Sequence, residues 1–555
     1  MEVRSVYRRA VTEDMMNRSE LLGVSLAGLC SLSLSASAET YDSSGGKFEL
    51  ETSVGAIAHA WSPVKHRLPL YGGFEKTNFA YGSPVRSFVA EGDRNELTLA
   101  WDEAVEAVDF SYRLVWDNRS DFKLKITLKS QGADFKVRVD RRKIHWSEAV
   151  QEAARWTLER NGVRQAKPPV GAYEPLYSTW YAFKRDFDAT RLEEELAEAA
   201  KLGMGTVIVD DGWQTTHGDW EADPAKFPDM RAHVARVHGY GMKYVLWYSL
   251  AFMNELSRHY KAFEGKYLET GQFWEHRLGI LDPRFPEVRS FIADQLADRM
   301  RRWGVDGYKL DFLDMFRVFG ENRYDCDSVG VDPAVKDGFR GRDTRSVPQA
   351  AEKLLEEIQT KLREVKGDAL IEFRQPYFGP VTQKYGNLFR ANDCPGDTLR
   401  NRVATTDTRL VTGSAAVHSD MLKWTPSSDR FDAARSILPV LFTTVQYSMD
   451  LKTIPSEQKA EIAKWVRFAR EHRAALQEGG FRAYSPEANY PLLEGWSDTE
   501  RIFAVYDPKT AVPAPAGDSR RLIVVNATPA RRVLVETASG VKSVAVEPYD
   551  FGEVE

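Results

Sequence analysis

Residues 305–316 read VDGYKLDFLDMF, a short apolar strand whose far end carries charge. The segment 308–312 alternates as a β-strand does, and its charged residues are Lys309 and Asp311. Residues two apart on a strand point to the same face, so this lysine and this carboxylate share one side. A helix-like segment, PEVRSFIADQLADRMRRWG (286–304), comes before the strand. The stretch therefore predicts a strand with functional groups at its carboxyl end, set within alternating strands and helices.

The same alternation of strand and helix continues in both directions from this stretch. Strand-like segments recur as LYSTWYAF (176–183), GTVIVDDGW (205–213), KYVLWYSLAF (243–252), ALIEFRQPYF (369–378), NLFRANDCPGD (387–397), a segment near 411–424, and LFTTVQYSMDL (441–451). Counting the opening strand, about eight strand–helix units fill roughly 300 residues, as in a (β/α)8 barrel. The sequence thus predicts an α/β fold with a central TIM barrel. A doubly wound parallel sheet is the alternative.

Composition changes on both sides of the predicted barrel. Short alternating segments such as NELTLAWD and FKLKITLKS predict an N-terminal β domain at 39–165, and the prolines of AKPPVGAYEP mark its end. We place the barrel at 166–478. Segments such as RIFAVYD and RRLIVVNAT predict a small C-terminal β-sandwich domain at 479–555.

The first 38 residues are typical of a secretory signal peptide. An arginine near Met16 precedes an apolar run, and Ala36-Ser37-Ala38 suits a cleavage site. Residues 1–15 look like an upstream extension, and the apolar run is too short to span a bilayer. We expect export to the periplasm or the extracellular space.

The cysteines beyond the signal are Cys326 and Cys394. We expect both to be unpaired thiols, with a disulfide between them as the alternative.

Overall charge and composition restrict the partners. The formal net charge is −6 with both signs scattered, and no basic block suggests nucleic acid binding. No segment after the signal is long and apolar enough to predict a membrane span. The chain is rich in aromatic residues, with 14 Trp, 22 Tyr and 28 Phe, which suits sugar sites and hydrophobic cores alike. The sequence gives no indication of the oligomeric state.

Charged and aromatic residues collect at the predicted carboxyl ends of the strands, which face the active site in a barrel. They are Trp180 and Tyr181 on the first strand, Asp210, Asp211 and Trp213 on the second, Trp247 on the third, Lys309 and Asp311 on the fourth, Glu372 and Arg374 on the fifth, and Arg390 and Asp393 on the sixth. Any single carboxylate could instead cap the helix that follows, and we prefer that interpretation for Asp314 and Asp397.

This set of residues favours glycoside hydrolysis, which uses two carboxylates. The sequence contains no HExxH or CxxC pattern, no glycine-rich phosphate loop and no GxSxG elbow, so we expect no metal and no cofactor. A nucleophilic carboxylate must stay ionised. We expect Lys309 to favour the charged form of Asp311 and also to bind a sugar hydroxyl.

The stretches VIVDDGW, DGYKLDF, FRAND and YSMDLKTIPSEQKAEIAKWVRFAREHR resemble the α-galactosidase (melibiase) group, glycoside hydrolase family 36, which is related to family 27. The resemblance covers residues 172–475 and implies a retaining mechanism. It implies that Asp311 is the nucleophile and Asp393 the acid/base, with Asp397 as a competing candidate. It further implies that Asp210, Asp211 and Lys309 bind the terminal sugar, with Trp213 beside them. We also assign Trp247, Arg374 and Arg390 to substrate binding.

One stretch departs from the family. Where members carry a Cys-Ser-Gly-Gly-Gly-like segment near the 2-position of the sugar, this chain has IEFRQPYFGP (371–380). We expect Arg374 to contact that position or an acidic substituent. The alternative is a buried pairing with Glu372.

The leading prediction is an exported exo-α-galactosidase acting on oligosaccharides or glycoconjugates. The alternatives are a transglycosidase of the raffinose-synthase type, an α-N-acetylgalactosaminidase, and a carbohydrate-binding protein without catalysis.

Overall fold

The computed structural model describes residues 37–53, 57–116, 122–130, 134–165, 167–273, 275–318, 331–514 and 517–554. Nearly all of the predicted signal peptide lies outside these residues, so it stays a prediction. Within the described ranges, no helix is long and apolar enough to cross a membrane.

Ten strands form two antiparallel sheets at the start of the described chain. In chain order they are β1 (Glu39–Asp42), β2 (Lys47–Ser53), β3 (Ile57–Ser62), β4 (His66–Leu68), β5 (Gly72–Thr77), β6 (Val85–Ala90), β7 (Arg94–Trp101), β8 (Val108–Trp116), β9 (Phe122–Ser130) and β10 (Lys136–Asp140). One sheet has the order β1-β10-β7-β6-β3-β4 and the other β2-β9-β8-β5. In β9, Leu124, Ile126 and Leu128 are buried while Lys125 and Thr127 between them are partly exposed, which is the expected strand alternation.

The described residues contain eleven α-helices, beginning with α1, whose alanine-rich face is buried. They are α1 (Trp146–Arg160), α2 (Trp180–Phe183), α3 (Ala189–Lys201), α4 (Met230–Gly239), α5 (Pro286–Trp303), α6 (Ala334–Asp337), α7 (Val347–Val365), α8 (Pro380–Tyr385), α9 (Thr398–Val411), α10 (Phe431–Ile437) and α11 (Ser456–Glu471). Short 3-10 turns occupy Val170–Ala172, Tyr260–Phe263, Leu313–Met315, Leu438–Val440, Leu451–Thr453 and Pro486–Ala488, and Ala474–Glu478 is a π-helical turn.

The central sheet is a barrel of eight parallel strands. They are β11 (Leu176–Ser178), β12 (Thr206–Val209), β13 (Lys243–Ser249), β17 (Gly307–Asp311), β18 (Leu370–Arg374), β19 (Leu388–Arg390), β20 (Ala416–His418) and β21 (Gln446–Tyr447). The first strand pairs with the last through Leu176 and Gln446. The bridge from His418 to Thr444 joins β20 to the segment before β21 and completes the ring. The predicted (β/α)8 barrel is confirmed.

The barrel carries one inserted sheet between β13 and α5. Its strands are β14 (Phe252–Asn254), β15 (Tyr267–Phe273) and β16 (His276–Leu281), in the order β14-β16-β15. The turn between β15 and β16 reaches the mouth of the barrel, since Glu275 and His276 line the cavity described below.

Eight strands lie in the described part of the chain after residue 479. They are β22 (Gly480–Tyr484), β23 (Leu492–Trp496), β24 (Glu500–Val505), β25 (Ala511–Pro513), β26 (Arg521–Asn526), β27 (Arg532–Thr537), β28 (Gly540–Ala545) and β29 (Asp550–Glu553). They form the sheets β22-β23-β24-β26-β29 and β25-β27-β28.

Asp407 of α9 joins the three predicted domains. Its Oδ1 accepts hydrogen bonds from Trp61 Nε1 at 2.8 Å and from Tyr490 OH at 2.5 Å. His66 Nδ1 lies 3.2 Å from Oδ2. One hydrophobic core contains Trp61, buried barrel residues and Tyr490. Because this core continues across residues 165 and 478, the two predicted domain boundaries stay predictions.

Candidate active site

A cavity of about 450 Å³ opens at the carboxyl ends of the barrel strands. Its lining residues are Trp180, Arg185, Asp210, Asp211, His217, Trp247, Glu275, His276, Leu278, Lys309, Asp311, Phe312, Arg374, Arg390 and Asp393. Parallel strands place their carboxyl ends at one rim, which explains why residues more than 200 positions apart meet here. Eight of the nine predicted site residues line this cavity, and Trp213 does not.

Asp311, the last residue of β17, is held by four hydrogen bonds. Its Oδ1 accepts from Arg374 Nε at 2.8 Å, Tyr377 OH at 2.5 Å and Phe312 N at 2.8 Å. Its Oδ2 accepts from Trp247 Nε1 at 3.1 Å. Burial raises the pKa of Asp311, but the charges of Arg374 and Lys309 and these hydrogen bonds outweigh burial and hold the pKa well below 3.8. Asp311 is therefore a carboxylate at neutral pH.

Lys309 bonds Asp210 and acts on Asp311 through its charge. Its ammonium donates to Asp210 Oδ2 at 2.6 Å, and both side chains are buried. Burial raises the pKa of Asp210, and Lys309 opposes that rise. Lys309 still lowers the pKa of Asp311 through its charge, but Arg374 has the larger effect. The cation that holds Asp311 ionised is thus chiefly Arg374, because its guanidinium touches the carboxylate directly.

Asp211 follows β12 and is fixed by polar neighbours. Arg185 donates to Oδ2 from Nε at 2.9 Å and from Nη2 at 2.6 Å, while Gln214 Nε2 donates to Oδ1 at 2.5 Å. His217 Nε2 lies 3.9 Å from Oδ1. Burial raises the pKa of Asp211, but these partners outweigh it and lower the pKa to about 2. The carboxylate is held rigidly at the cavity wall.

Trp213 does not reach the cavity that the other predicted site residues line. Its side chain is buried, packs edge-on against Trp303 with ring centroids 5.6 Å apart, and donates Nε1 to Trp247 O at 3.0 Å. Trp213 therefore lies behind the site and supports Trp247. The aromatic surfaces in the cavity wall come from Trp180, Trp247 and Phe312.

Asp393 follows β19 and is bound to Arg390. Arg390 Nη2 donates to Asp393 Oδ1 at 2.8 Å, and Nη1 donates to buried Asp420 Oδ1 at 2.5 Å. Arg390 holds the pKa of Asp393 below its ordinary value, against partial burial. The Asp393 side chain is 54% exposed, so solvent reaches it in the open cavity. An acid/base residue must be protonated at the start of the cycle, whereas Arg390 favours the carboxylate form of Asp393.

The competing carboxylates lie elsewhere. Asp397 caps α9, its side chain accepting from Arg400 N at 2.9 Å, as the helix-cap interpretation predicted. Asp314 lies in the 3-10 turn after β17 and lines a separate cavity of about 370 Å³. Glu372 is buried and pairs with His418 Nδ1 at 2.6 Å, so it is not the partner of Arg374.

The sequence analysis did not identify several contributors to the site, among them Tyr377, Arg185 and His217. Tyr377 follows β18 in a stretch without a recognisable pattern, and Arg185 follows the short helix α2. His217, in the loop after β12, stacks on Trp220 with ring centroids 5.2 Å apart. An excess of tyrosine, arginine and histidine after strand ends is a weak signal, since such residues are also common on ordinary loops.

Cys394 is a buried thiol beside Asp393. Cys326 lies outside the described residues, so a bridge between the two is untested. Where the structure describes the chain, no group of three or more His, Cys, Asp or Glu residues has the arrangement of a metal site.

Comparison with known proteins supports the predicted relationship. The melibiase family model matches residues 146–328, a span that contains Asp210, Asp211, Lys309 and Asp311 but not Asp393. The predicted resemblance to the melibiase group is confirmed.

Curated relatives match over a limited length. The bifunctional alpha-galactosidase/sucrose kinase AgaSK of Mediterraneibacter gnavus is 30% identical over 151 residues, which are 24% of this chain and 16% of that protein. Alpha-galactosidase Mel36A of Lactobacillus acidophilus is 33% identical over 156 residues, 25% of this chain and 20% of that protein. The matches thus span about a fifth or less of the length of these relatives.

Solved structures show the same fold over most of the chain. The GH36 alpha-galactosidase AgaA of Geobacillus stearothermophilus superimposes with a TM-score of 0.60 at 15% identity, covering 93% of this chain and 75% of that one. The alpha-galactosidase TtGalA of Thermus thermophilus gives 0.55 at 16% identity, covering 81% and 91%. These likenesses confirm the predicted barrel with flanking β domains.

Proposed function

We propose that this chain, a relative of the melibiase group, is a retaining exo-α-glycosidase that hydrolyses terminal α-galactosides of oligosaccharides or glycoconjugates. The observation that carries the proposal is the pairing in one cavity of Asp311, held ionised by four donors, with the solvent-accessible Asp393. Two carboxyl groups on different strands of one rim are what double displacement at an anomeric carbon requires.

In the first step, Asp311 attacks the anomeric carbon while Asp393 gives a proton to the leaving oxygen. Asp393 must therefore gain a proton when substrate binds. A bound sugar removes water from Asp393, and Asp311 is still anionic at that stage; both changes raise the pKa of Asp393 against the pull of Arg390. Once Asp311 is esterified its charge is gone, and Asp393 can act as the base that activates water.

Three buried or half-buried groups are placed to hold sugar hydroxyls. Asp210 and Asp211 are carboxylates at the end of β12, and Lys309 bridges from β17 to Asp210. Carboxylates accept hydrogen bonds and an ammonium donates them. The cluster can therefore accept from one sugar hydroxyl and donate to a neighbouring one. The proposed assignments of Trp247, Arg374 and Arg390 to the site are supported by their positions in the same wall.

A panel of aryl α-glycosides tests the proposal. We expect turnover of the α-galactoside above that of the α-N-acetylgalactosaminide and α-glucoside, with proton NMR detecting the α-anomer as the first product. Calorimetry with the same sugars would reveal binding without turnover, and an inverted first product would exclude double displacement. Adding a sugar acceptor and analysing the products separates hydrolysis from transglycosylation.

We also propose export, on the basis of residues 16–38. The expected mature N-terminus is Glu39. Edman sequencing of the protein recovered from the periplasm or medium checks this. Recovery of an intact residue 16–38 segment in the cytoplasm would contradict it.

A further inference from the structure

The two oxygens of the Asp311 carboxylate have unequal surroundings. Oδ1 accepts from Arg374, Tyr377 and Phe312 N, whereas the donor that reaches Oδ2 among the described residues is Trp247. A carboxylate oxygen offers about two lone-pair sites, so Oδ1 is saturated and Oδ2 is free to react. The attacking oxygen is therefore Oδ2, and in the glycosyl-enzyme Oδ1 is the carbonyl oxygen of the ester.

We infer that Tyr377, together with Arg374, stabilises the departing Asp311 carboxylate in the second displacement, a role that rests on the proposed function. In that step the water oxygen bonds to the anomeric carbon and its proton passes to Asp393. The bond from the anomeric carbon to Oδ2 breaks, and its electron pair stays on the carboxyl group. Negative charge then spreads onto Oδ1, where Tyr377 and Arg374 already donate.

Hydrogen bonds and burial fix the hydroxyl of Tyr377 against Asp311. Its hydroxyl is buried, donates to Asp311 Oδ1 at 2.5 Å and accepts from Phe312 N at 3.2 Å. Its main-chain N–H bonds to Arg374 O at 2.9 Å, and the Arg374 guanidinium lies 5.2 Å from the centre of its ring. The two donors are thus fixed relative to each other by the end of β18.

Tyr377 and Arg374 have opposite effects on the rates of the two displacements. They stabilise the free carboxylate, which makes Asp311 a weaker nucleophile in the first step and a better leaving group in the second. A residue with a merely structural role would not separate the steps in this way, because misplacing Asp311 slows both.

Tyr377→Phe keeps the ring and removes the donor. With an aryl galactoside that has a good leaving group, kcat reports the second step, and we expect it to fall about tenfold, as for loss of one hydrogen bond to a charged group. kcat/KM, which reports the first step, should stay level or rise, and a pre-steady-state burst of phenolate should grow. The matched control is Tyr385→Phe, whose hydroxyl bonds Glu352 at 3.3 Å away from the cavity.

Equal falls in kcat and kcat/KM with no added burst would overturn the inference and leave the proposed function standing. If Tyr377→Phe does not fold, as judged by its thermal unfolding midpoint, Arg374→Gln is the second variant, and the same separation of the two constants is expected. Absence of turnover by the wild-type chain on every aryl glycoside would instead remove the proposed function and this inference together.

Discussion

Asp311 and Asp393 differ in what their removal should do. Asp311→Asn is expected to abolish turnover for every leaving group, because no other carboxylate in the described cavity is placed between the same donors. Asp393→Ala should spare the first step for substrates with good leaving groups, which need no proton, and azide should restore part of the rate. Steady-state rates across a series of aryl leaving groups check both. Equal loss for all leaving groups in Asp393→Ala would contradict its role.

Asp420 sets how strongly Arg390 acts on Asp393. Its carboxylate accepts from Arg390, from Cys394 N at 2.7 Å and from Tyr181 OH at 3.1 Å. Asp420→Asn removes a negative charge that competes with Asp393 for Arg390, so the pKa of Asp393 should fall. With a substrate whose first step limits the rate, we expect the basic limb of the kcat profile, which reports the substrate complex, to move to lower pH by about one unit.

The matched control for Asp420→Asn is Tyr181→Phe, which removes a neutral donor and keeps the charge. Its pH profile should change much less. A basic limb that stays in place in Asp420→Asn, in a variant that folds normally, would show that Asp420 only shapes the loop.

At the residue scale, sequence reasoning reached the carboxylates but not their partners. Asp210, Asp211 and Asp311 stand at the carboxyl ends of strands, which meet at one rim of a parallel barrel. Lys309 favours the charged form of Asp311, as the sequence predicts, but Arg374 at the end of the adjacent strand β18 has the larger effect. The contact between Tyr377 and Asp311 depends on how the chain turns after β18, and the periodicity of the sequence does not predict that turn.

At the element scale, strand β17 is anchored at its start as well as at its end. Asp306 is buried beneath the barrel, accepting from Tyr244 N at 2.8 Å and Lys366 Nζ at 2.7 Å, with His238 Nε2 at 2.8 Å. Burial raises the pKa of Asp306, but these partners outweigh it and hold the pKa well below 3.8. Asp306→Asn should lower the free energy of unfolding by about 3 kcal/mol, the usual cost of breaking a buried ion pair.

The pH dependence of this contribution has a definite sign. A folded-state pKa below the ordinary value gives stability that is present above pH 3.8 and is lost as pH falls toward the folded pKa. The difference in unfolding free energy between wild type and Asp306→Asn, measured in urea, should therefore shrink on acidification. Glu194→Gln, at an exposed ion pair with Lys452, is the control and should change stability by under about 1 kcal/mol.

The barrel itself could be predicted because strand and helix periods repeat along the chain. The inserted sheet β14-β16-β15 was missed, since its strands interrupt that repeat without a pattern of their own. That insertion nonetheless places Glu275 and His276 in the cavity wall.

At the scale of the whole molecule, His66 and Asp407 couple the β domain to the barrel. His66 Nδ1 faces the Asp407 carboxylate and Nε2 lies 3.0 Å from Pro486 O, so both ring nitrogens must donate. Burial lowers the pKa of His66, but Asp407 outweighs burial and raises the pKa above 6.5. The stability that charged His66 contributes is fully present below pH 6.5 and is lost as pH rises through the pKa of His66 in the folded state.

We expect His66→Asn to cost roughly 1–3 kcal/mol at pH 6 and less at pH 9. Asn suits this position because His66 has a φ of 60°, which Asn tolerates better than most residues. Thermal unfolding followed by near-UV and far-UV circular dichroism should give coincident transitions, because one core spans all three regions. Separate transitions, or a cost that does not change with pH, would contradict the coupling.

Closure of the barrel through Leu176 and Gln446 also has a consequence for synthesis on the ribosome. The two partners are separated by about 270 residues, so β11 leaves the exit tunnel long before β21 has been made. At roughly 5–20 residues per second the delay is on the order of 10–50 s. Throughout that time the edge of β11 lacks its final neighbour and can template pairing with another nascent chain. Spacing of ribosomes on the message, and chaperones that shield nascent chains, should therefore govern the yield of this protein more strongly than its final stability does.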